Sequence, residues 1–87
     1  MPYKIYLTRA AQKDIKKLKQ QAALYKKYNI LLEVLKDNPY QIPCEELAGD
    51  LKGFYSRRLN VPHRLVYEVY EDELAVKILS VWTHYGQ

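Results

Sequence analysis

Three kinds of side chain in the second half of the sequence could act together on a phosphodiester. Arg64 lies in the stretch GFYSRRLNVPHRLVYEVY, His84 lies in the closing WTHYGQ, and Glu45 and Glu46 lie in the loop before them. A guanidinium offers a phosphate two directed donors and keeps its charge, a histidine donates a proton near neutral pH, and a carboxylate accepts one. Cleavage of RNA by its own 2′-hydroxyl requires such a base, cation and acid, and needs no metal ion.

Each of these residues also has an ordinary structural explanation. Arg64 and Glu68 are on the same face of one predicted strand and could form a surface ion pair. A histidine near the C-terminus and paired glutamates in a loop are often only solvated polar residues. Trp82 and Tyr85 could pack a strand end onto the core. The order of the secondary-structure elements is therefore needed to interpret these residues.

Hydrophobic periodicity predicts the elements that position these side chains. The stretch YKIYL alternates and predicts a strand, and Thr8 is a suitable N-cap for the helix that follows. Pro39 disfavours helical geometry before it, and YQIPCEELAGDLKG predicts a loop with one helical turn at its centre. The predicted elements are a strand over 3–7, helices over RAAQKDIKKLKQ and about 23–36, and strands over about 54–59, 63–70 and 74–82.

This order, β-α-α-β-β-β, predicts an α+β fold in which two helices cover one face of a small, mainly antiparallel sheet. The other face is left to solvent or a ligand, and alternation along HRLVYEVY places Arg64 there. Because neighbours in a strand point to opposite faces, only one of Arg57 and Arg58 can join Arg64. The residues predicted to face the helices are Leu65, Tyr67 and Val69.

Length and composition narrow the class of protein. The 87 residues predict one domain, residues 1–87, without room for a second core. The single cysteine, Cys44, excludes a disulfide framework and a cysteine-based metal site, and the residues suggest neither a metal nor a cofactor. No apolar run is long enough to span a membrane, and the start MPYKIYLTRA lacks the apolar core of a signal peptide, so we expect a cytoplasmic protein.

The charge is unevenly distributed along the chain. The net charge is +4, but residues 1–40 carry nine Lys or Arg against three acids, and residues 41–87 carry five against seven. A basic half favours a polyanionic partner, although lysines that only keep a small domain in solution would give the same count. The lysines in question, predicted on the surface of the first helix, are Lys13, Lys16, Lys17 and Lys19.

The stretch LAGDLKGFYSRRLNVPHRLVYEVY and the later WTHY together resemble the YoeB/Txe branch of the RelE/ParE toxin superfamily. The resemblance is most specific in GFYSRR, HRLVYEV and the terminal HY, which occur in the family's order and at about its separations. It covers essentially the whole chain and is strong over residues 45–85. It implies a RelE-like fold and a toxin of a type II toxin–antitoxin pair that cleaves messenger RNA in the ribosomal A site.

The resemblance also implies a role for each matching residue. Glu45 matches the general base, with Glu46 as the alternative, and Arg64 matches the arginine that stabilises the scissile phosphate. His84 matches the general acid, and Tyr85 beside it would stack on or position the substrate.

Further residues would contact RNA. Arg58, the second arginine of SRR, is a further phosphate contact, and Lys52 is the candidate to replace a basic residue of the family pattern where this chain has Ala48. The implied partners are a cognate antitoxin, mRNA and ribosomal RNA, with a homodimer or a toxin–antitoxin hetero-oligomer as the assembly. The lysines that would dock on ribosomal RNA are Lys13, Lys16 and Lys17.

Two other functions compete with the nuclease. A toxin of the ParE type would share the fold and poison a topoisomerase by binding, without needing Glu45, Arg64 and His84 together. A plain RNA-binding module would bind single strands on the tyrosines of the open face. The joint presence of the three residues favours the nuclease.

Overall fold

The computed structural model describes residues 2–41, 44–47, 53–59 and 63–81. The predicted order of two helices between the first strand and three later strands is confirmed, with one short strand added. The elements are β1 (Lys4–Leu7), α1 (Arg9–Leu18), α2 (Ala22–Asp37), β2 (Glu45–Glu46), β3 (Phe54–Arg58), β4 (Arg64–Tyr70), a 3-10 helix (Glu71–Glu73) and β5 (Ala75–Ser80).

The first helix begins where the sequence predicts. The Thr8 hydroxyl accepts a hydrogen bond from the Ala11 N–H at 3.1 Å and satisfies one of the free N–H groups of the first turn. The same hydroxyl donates to the Leu79 carbonyl at 3.1 Å, which ties the start of α1 to the end of β5. Spacings of four and three residues put one face of α1 in the core, and its buried residues are Ala11, Ile15 and Leu18.

The second helix extends one residue beyond each predicted end. It ends at Asp37, two residues before Pro39, as the restriction on residues before proline requires. Leu32, predicted on its apolar stripe, is half-buried against the core. The fully packed residues of α2 are Leu24, Tyr28, Leu31 and Leu35.

The sheet has the strand order β1-β5-β4-β3-β2. β1 pairs in parallel with β5, and the other three pairings are antiparallel. The bounds of β3, β4 and β5 lie within two residues of the predicted ones. The face that packs on the helices contributes Leu65, Tyr67, Val76 and Ile78 to the core, with Val69 half-buried at its border.

The strand β2 corrects the prediction of a loop at Glu45 and Glu46, and the rest of that loop's centre, residues 48–52, lies outside the described residues. Glu45 pairs with Ser56 and Glu46 with Tyr55, and the Leu47 N–H continues the ladder to the Phe54 carbonyl at 2.8 Å. A two-residue strand has no alternation that a sequence pattern could reveal.

The opposite face of the sheet is less open than predicted. Val66 and Ser56 are cross-strand partners on that face, and both are buried, at 0% and 1% exposure. Arg64, Glu68 and Tyr70 on the same face of β4 are half-buried. The Arg64 site described in the next subsection therefore lies over buried side chains and not on a fully exposed sheet face.

The predicted acidic turn between the last two strands is a single 3-10 turn. It ends at Leu74, whose left-handed φ of 50° reverses the chain into β5. Further along, the pairing shifts between Val66 and Tyr67, which face Ser80 and Ile78, so that Leu79 is an extra residue in β5.

No helix within the described ranges is long and apolar enough to cross a membrane.

Candidate active site

Arg64 is the centre of the site. Its Nη2 forms an ion pair with Oε1 of Glu45, 19 residues away in the chain, and its Nε donates to the Ser56 hydroxyl at 2.6 Å. The Arg64 side chain is 19% exposed and that of Glu45 is 72% exposed. The guanidinium is therefore held in a fixed orientation by a buried hydroxyl, while the paired carboxylate is open to solvent.

Strand register brings these side chains together. Glu45 of β2 faces Ser56 of β3, which in turn faces Val66 of β4, so the three lie in one row across one face of the sheet. Arg64 lies on the same face, two residues before Val66, and reaches back along the row to Ser56 and Glu45. Because directly paired residues share a face, the ladder puts Glu45 and Arg64 on one side of the sheet, where the long Arg64 side chain spans the remaining distance.

The two glutamates that the sequence leaves as alternatives have different surroundings. Glu46 is paired with Tyr55, on the face opposite Glu45, and its Oε2 accepts from the Gly53 N–H at 3.2 Å. Gly53 has a φ of +97°, a conformation that favours glycine, and the carboxylate fixes the turn into β3. Glu46 thus stabilises a turn, whereas Glu45 contacts Arg64.

Arg57 and Arg58 also differ as alternation predicts. Arg58 is the direct cross-strand partner of Arg64 and is exposed, so the open face carries two neighbouring cations. Arg57 pairs with Leu65 on the helix-covered side and donates from Nη1 to the Gln41 carbonyl at 2.7 Å.

The alternative ion pair between Arg64 and Glu68 does not form. The Glu68 carboxylate instead accepts the Tyr70 hydroxyl at 2.7 Å, and this hydrogen bond is the main reason that the pKa of Tyr70 is raised. Glu68 is also paired across the sheet with Lys77, whose Nζ lies 5.6 Å from the centre of the Tyr70 ring. Glu68 therefore belongs to a separate polar cluster further along the face.

The lysines of α1 are exposed but lie apart from Arg64. The helix packs its apolar face on the core side of the sheet, and Arg64 projects from the other side. The structure does not bring these cations into the Arg64–Glu45 site, and any shared partner would have to be large. The predicted lysines, all exposed, are Lys13, Lys16, Lys17 and Lys19.

Three predicted site residues, Lys52, His84 and Tyr85, lie outside the described residues. The chain before His84 is described as far as Val81, whose N–H donates to Oδ2 of Asp14 in α1 at 3.1 Å. This contact fixes the end of β5 on the helix layer. Sequence analysis gave Asp14 no role.

Ser56 is the main site residue that sequence analysis missed. A small polar residue between aromatic and basic ones in FYSRR is the available signal, because alternation puts it on the same face as Arg58. Its burial and its bond to Arg64 depend on the pairing of β3 with β4, which no local pattern fixes.

Across the described part of the chain, no group of three or more His, Cys, Asp or Glu side chains is arranged to hold a metal ion. The Cys44 thiol is half-buried and donates to the Tyr40 carbonyl at 3.6 Å. The chemistry available at the site is therefore that of a solvent-accessible carboxylate beside an oriented guanidinium. Such a pair can accept a proton and bind an anion.

The chain is similar to a family of known toxins. The family model described as "YoeB-like toxin of bacterial type II toxin-antitoxin system" matches residues 7–85. Toxin YoeB of Synechocystis sp. is 36% identical over 64 residues, which are 71% of this chain and 72% of that protein. The YoeB/ParE toxin from Agrobacterium tumefaciens has a TM-score of 0.88 at 28% identity, over 94% of this chain and 99% of that one. The YoeB-YefM complex from Staphylococcus aureus contains a chain with a TM-score of 0.81 at 36% identity, over 98% of this chain and 100% of that one.

Proposed function

The chain belongs to the family of YoeB-like toxins of bacterial type II toxin–antitoxin systems, and we propose that it is an endoribonuclease that cleaves messenger RNA in the A site of the ribosome. The observation that carries the proposal is the ion pair of Arg64 with Glu45 on the sheet face away from the helices. The pair supports the proposal because a carboxylate that can act as general base and a guanidinium that can bind phosphate are adjacent, and the carboxylate is exposed to an incoming chain.

The reaction uses the 2′-hydroxyl of the substrate as its nucleophile. Glu45 accepts the proton of that hydroxyl while the oxygen attacks the neighbouring phosphorus. Arg64, oriented by Ser56, stabilises the negative charge that develops on the phosphate oxygens. The bond from phosphorus to the 5′-oxygen breaks, and His84 supplies the proton that this oxygen takes up. The products are a 2′,3′-cyclic phosphate and a 5′-hydroxyl.

The surrounding residues extend the substrate contacts. Arg58, on the same face as Arg64, binds a neighbouring phosphate, and Lys52 is a further RNA contact. Tyr85 stacks on or positions a base beside the scissile bond. No metal ion takes part, because the side chains provide the base, the cation and the acid.

We also propose a cognate antitoxin as the regulatory partner. The support is the YoeB-YefM complex from Staphylococcus aureus, whose toxin chain is 36% identical to this one. A YoeB of the same organism is described as a dimer, so a homodimer and a toxin–antitoxin hetero-oligomer are the expected assemblies.

The test is cleavage of mRNA on programmed ribosomes, with chelator present, by the natural chain, Arg64→Ala and His84→Ala. Lys36→Ala is the matched control, because it removes one cation from α2, where Lys36 pairs with Glu33. We expect A-site cleavage by the natural chain and the control and loss of most activity in the other two. If the natural chain cuts nothing, or both variants cut as well as it does, the proposal is wrong, and topoisomerase inhibition is the next assay.

A further inference from the structure

Three consecutive backbone carbonyls before β2 each accept a hydrogen bond from a different side chain. The Pro39 carbonyl accepts from the Tyr67 hydroxyl at 2.6 Å, and the Gln41 carbonyl accepts from Nη1 of Arg57 at 2.7 Å. Between them, the Tyr40 carbonyl accepts from the Cys44 thiol at 3.6 Å. We call residues 39–41 with these donors the carbonyl clamp.

The clamp joins the segment to the rigid part of the fold. Tyr67 is fully buried in β4 and stacks on Tyr55 of β3 with ring centres 5.8 Å apart. Tyr55 also meets the Tyr40 ring edge-on at 5.5 Å. The Tyr40 hydroxyl donates to Glu71, in the 3-10 helix that follows β4. Residues 39–41 are therefore fixed by contacts from β3, β4 and the turn beyond it.

The segment leads to Glu45, which is four residues beyond Gln41. Glu45 itself belongs to a strand of two residues, and its side chain is mostly exposed. So short a strand has little pairing of its own to fix where the carboxylate lies. The carbonyl clamp lies on the N-terminal side of that strand and includes the Cys44 thiol, next to Glu45 in the chain.

We propose that Arg57 is a positioning residue that sets the place of Glu45 in the active site through the carbonyl clamp. The inference rests on the proposed function, since it assumes that Glu45 is the general base. Arg57 cannot act on an RNA bound over Arg64, because its side chain is on the opposite side of the sheet from that of Arg58. Its loss should therefore affect the chemical step and not RNA binding.

The experiment compares Arg57→Ala and Arg57→Lys with Arg58→Ala, the neighbouring arginine on the other face. Cleavage on programmed ribosomes gives kcat and KM for each. The rate at which an aromatic disulfide reagent modifies Cys44, the single thiol of the chain, reports separately on the clamp. Thermal unfolding followed by circular dichroism shows whether each variant is folded at the assay temperature.

We expect Arg57→Ala to lower kcat by about 10- to 100-fold with KM within about twofold, because displacing a reacting group by about 1 Å can cost that much. Modification of Cys44 should become several-fold faster. Arg57→Lys should recover part of both, since one N–H donor makes the contact. Arg58→Ala should raise KM and leave the thiol rate unchanged.

The inference is wrong, and the proposed function still stands, if the natural chain cuts and both Arg57 variants keep its kcat. The same follows if the natural chain cuts and Cys44 reacts no faster in folded Arg57→Ala than in the natural chain. A natural chain that cuts nothing overturns the proposed function and this inference with it. If Arg57→Ala does not fold, Arg57→Lys decides: it must show a lower kcat and a faster thiol reaction than the natural chain, or the inference is wrong.

Discussion

Glu45 and Ser56 are direct partners across the β2–β3 ladder, and the Ser56 hydroxyl accepts a hydrogen bond from Nε of Arg64. This one register places the Glu45 carboxylate beside the guanidinium. A shift of β2 by one residue would exchange Glu45 for Glu46, because successive residues of a strand point to opposite faces. The choice between the two glutamates, left open by the sequence, is thus a question of strand pairing.

Glu45→Gln and Glu46→Gln form a matched pair that tests this register in activity. We expect Glu45→Gln to lower the cleavage rate on programmed ribosomes by about 10²- to 10⁴-fold, the usual contribution of a general base. Glu46→Gln should stay within a few-fold of the natural chain, since its contact is to the Gly53 N–H and the amide oxygen can replace it. If Glu46→Gln lost more activity than Glu45→Gln, the general base would be Glu46 and the assignment of Glu45 would be wrong.

Much of the fold could be predicted because its signals are local. The spacing of Ala11, Ile15 and Leu18 predicted the buried side of α1, and Thr8 predicted where that helix begins. Alternation through β4 predicted that Leu65 and Tyr67 face the core and that Arg64 faces away from it. In each case the decisive interactions lie within one element.

The parts that were missed depend on contacts between distant segments. Arg64 pairs with Glu45, 19 residues away, and not with Glu68 on its own strand, because β2 adds to the edge of β3. Ser56 and Val66 are buried partners across the β3–β4 ladder, a pairing that no local pattern fixes. Nothing local in CEELAG distinguishes a two-residue strand from a loop.

Thr8→Ala should destabilise the fold by about 1 to 2 kcal/mol, toward the upper end for an N-cap. The hydroxyl both caps α1 and donates to the Leu79 carbonyl at the bulge of β5, so two elements lose a contact. Urea unfolding followed by circular dichroism measures the loss. Thr8→Ser keeps the hydroxyl and should lower the free energy of unfolding by less than half as much. If both variants lost the same stability, the missing methyl group and not the hydroxyl would be the cause.

Tyr67→Phe should destabilise the fold by about 1 to 3 kcal/mol. The change removes the hydroxyl that donates a hydrogen bond to the Pro39 carbonyl and leaves that buried carbonyl without this donor. Tyr70→Phe is the control, since its hydroxyl bonds to Glu68 on the half-buried face of β4. Its cost should be about 0.5 kcal/mol or less. Similar urea midpoints for the two variants would mean that the Pro39 contact contributes little.

Lys13→Ala/Lys16→Ala should weaken ribosome-dependent cleavage mainly at low salt. If these lysines of α1 contact ribosomal RNA, the double variant should reduce the slope of log(kcat/KM) against log[salt] by about 1 to 2. Lys26→Ala/Lys27→Ala removes the same charge from the exposed side of α2 and serves as the control. Equal slopes for the two double variants would indicate that net charge matters and the α1 surface does not.

Alkaline pH should destabilise the fold through its buried tyrosines. Burial raises the pKa of Tyr28 to about 12 and also raises the pKa of Tyr67, because a phenolate is poorly solvated in the core. In the unfolded chain these phenols ionise near pH 10, so above that pH the unfolded state loses protons that the folded state keeps. Stability should therefore be constant below about pH 9 and fall from about pH 10 to pH 12.

Tyr28→Phe isolates one of these groups. The variant lacks a phenol at this position, so its free energy of unfolding should fall less steeply between about pH 10 and pH 12 than that of the natural chain. Urea unfolding at pH 8, 10, 11 and 12 measures both slopes, and the difference between the two proteins at pH 8 provides the baseline. Parallel curves over the whole range would mean that Tyr28 ionises alike in the folded and unfolded states, and that its burial in the core does not exclude the charged form.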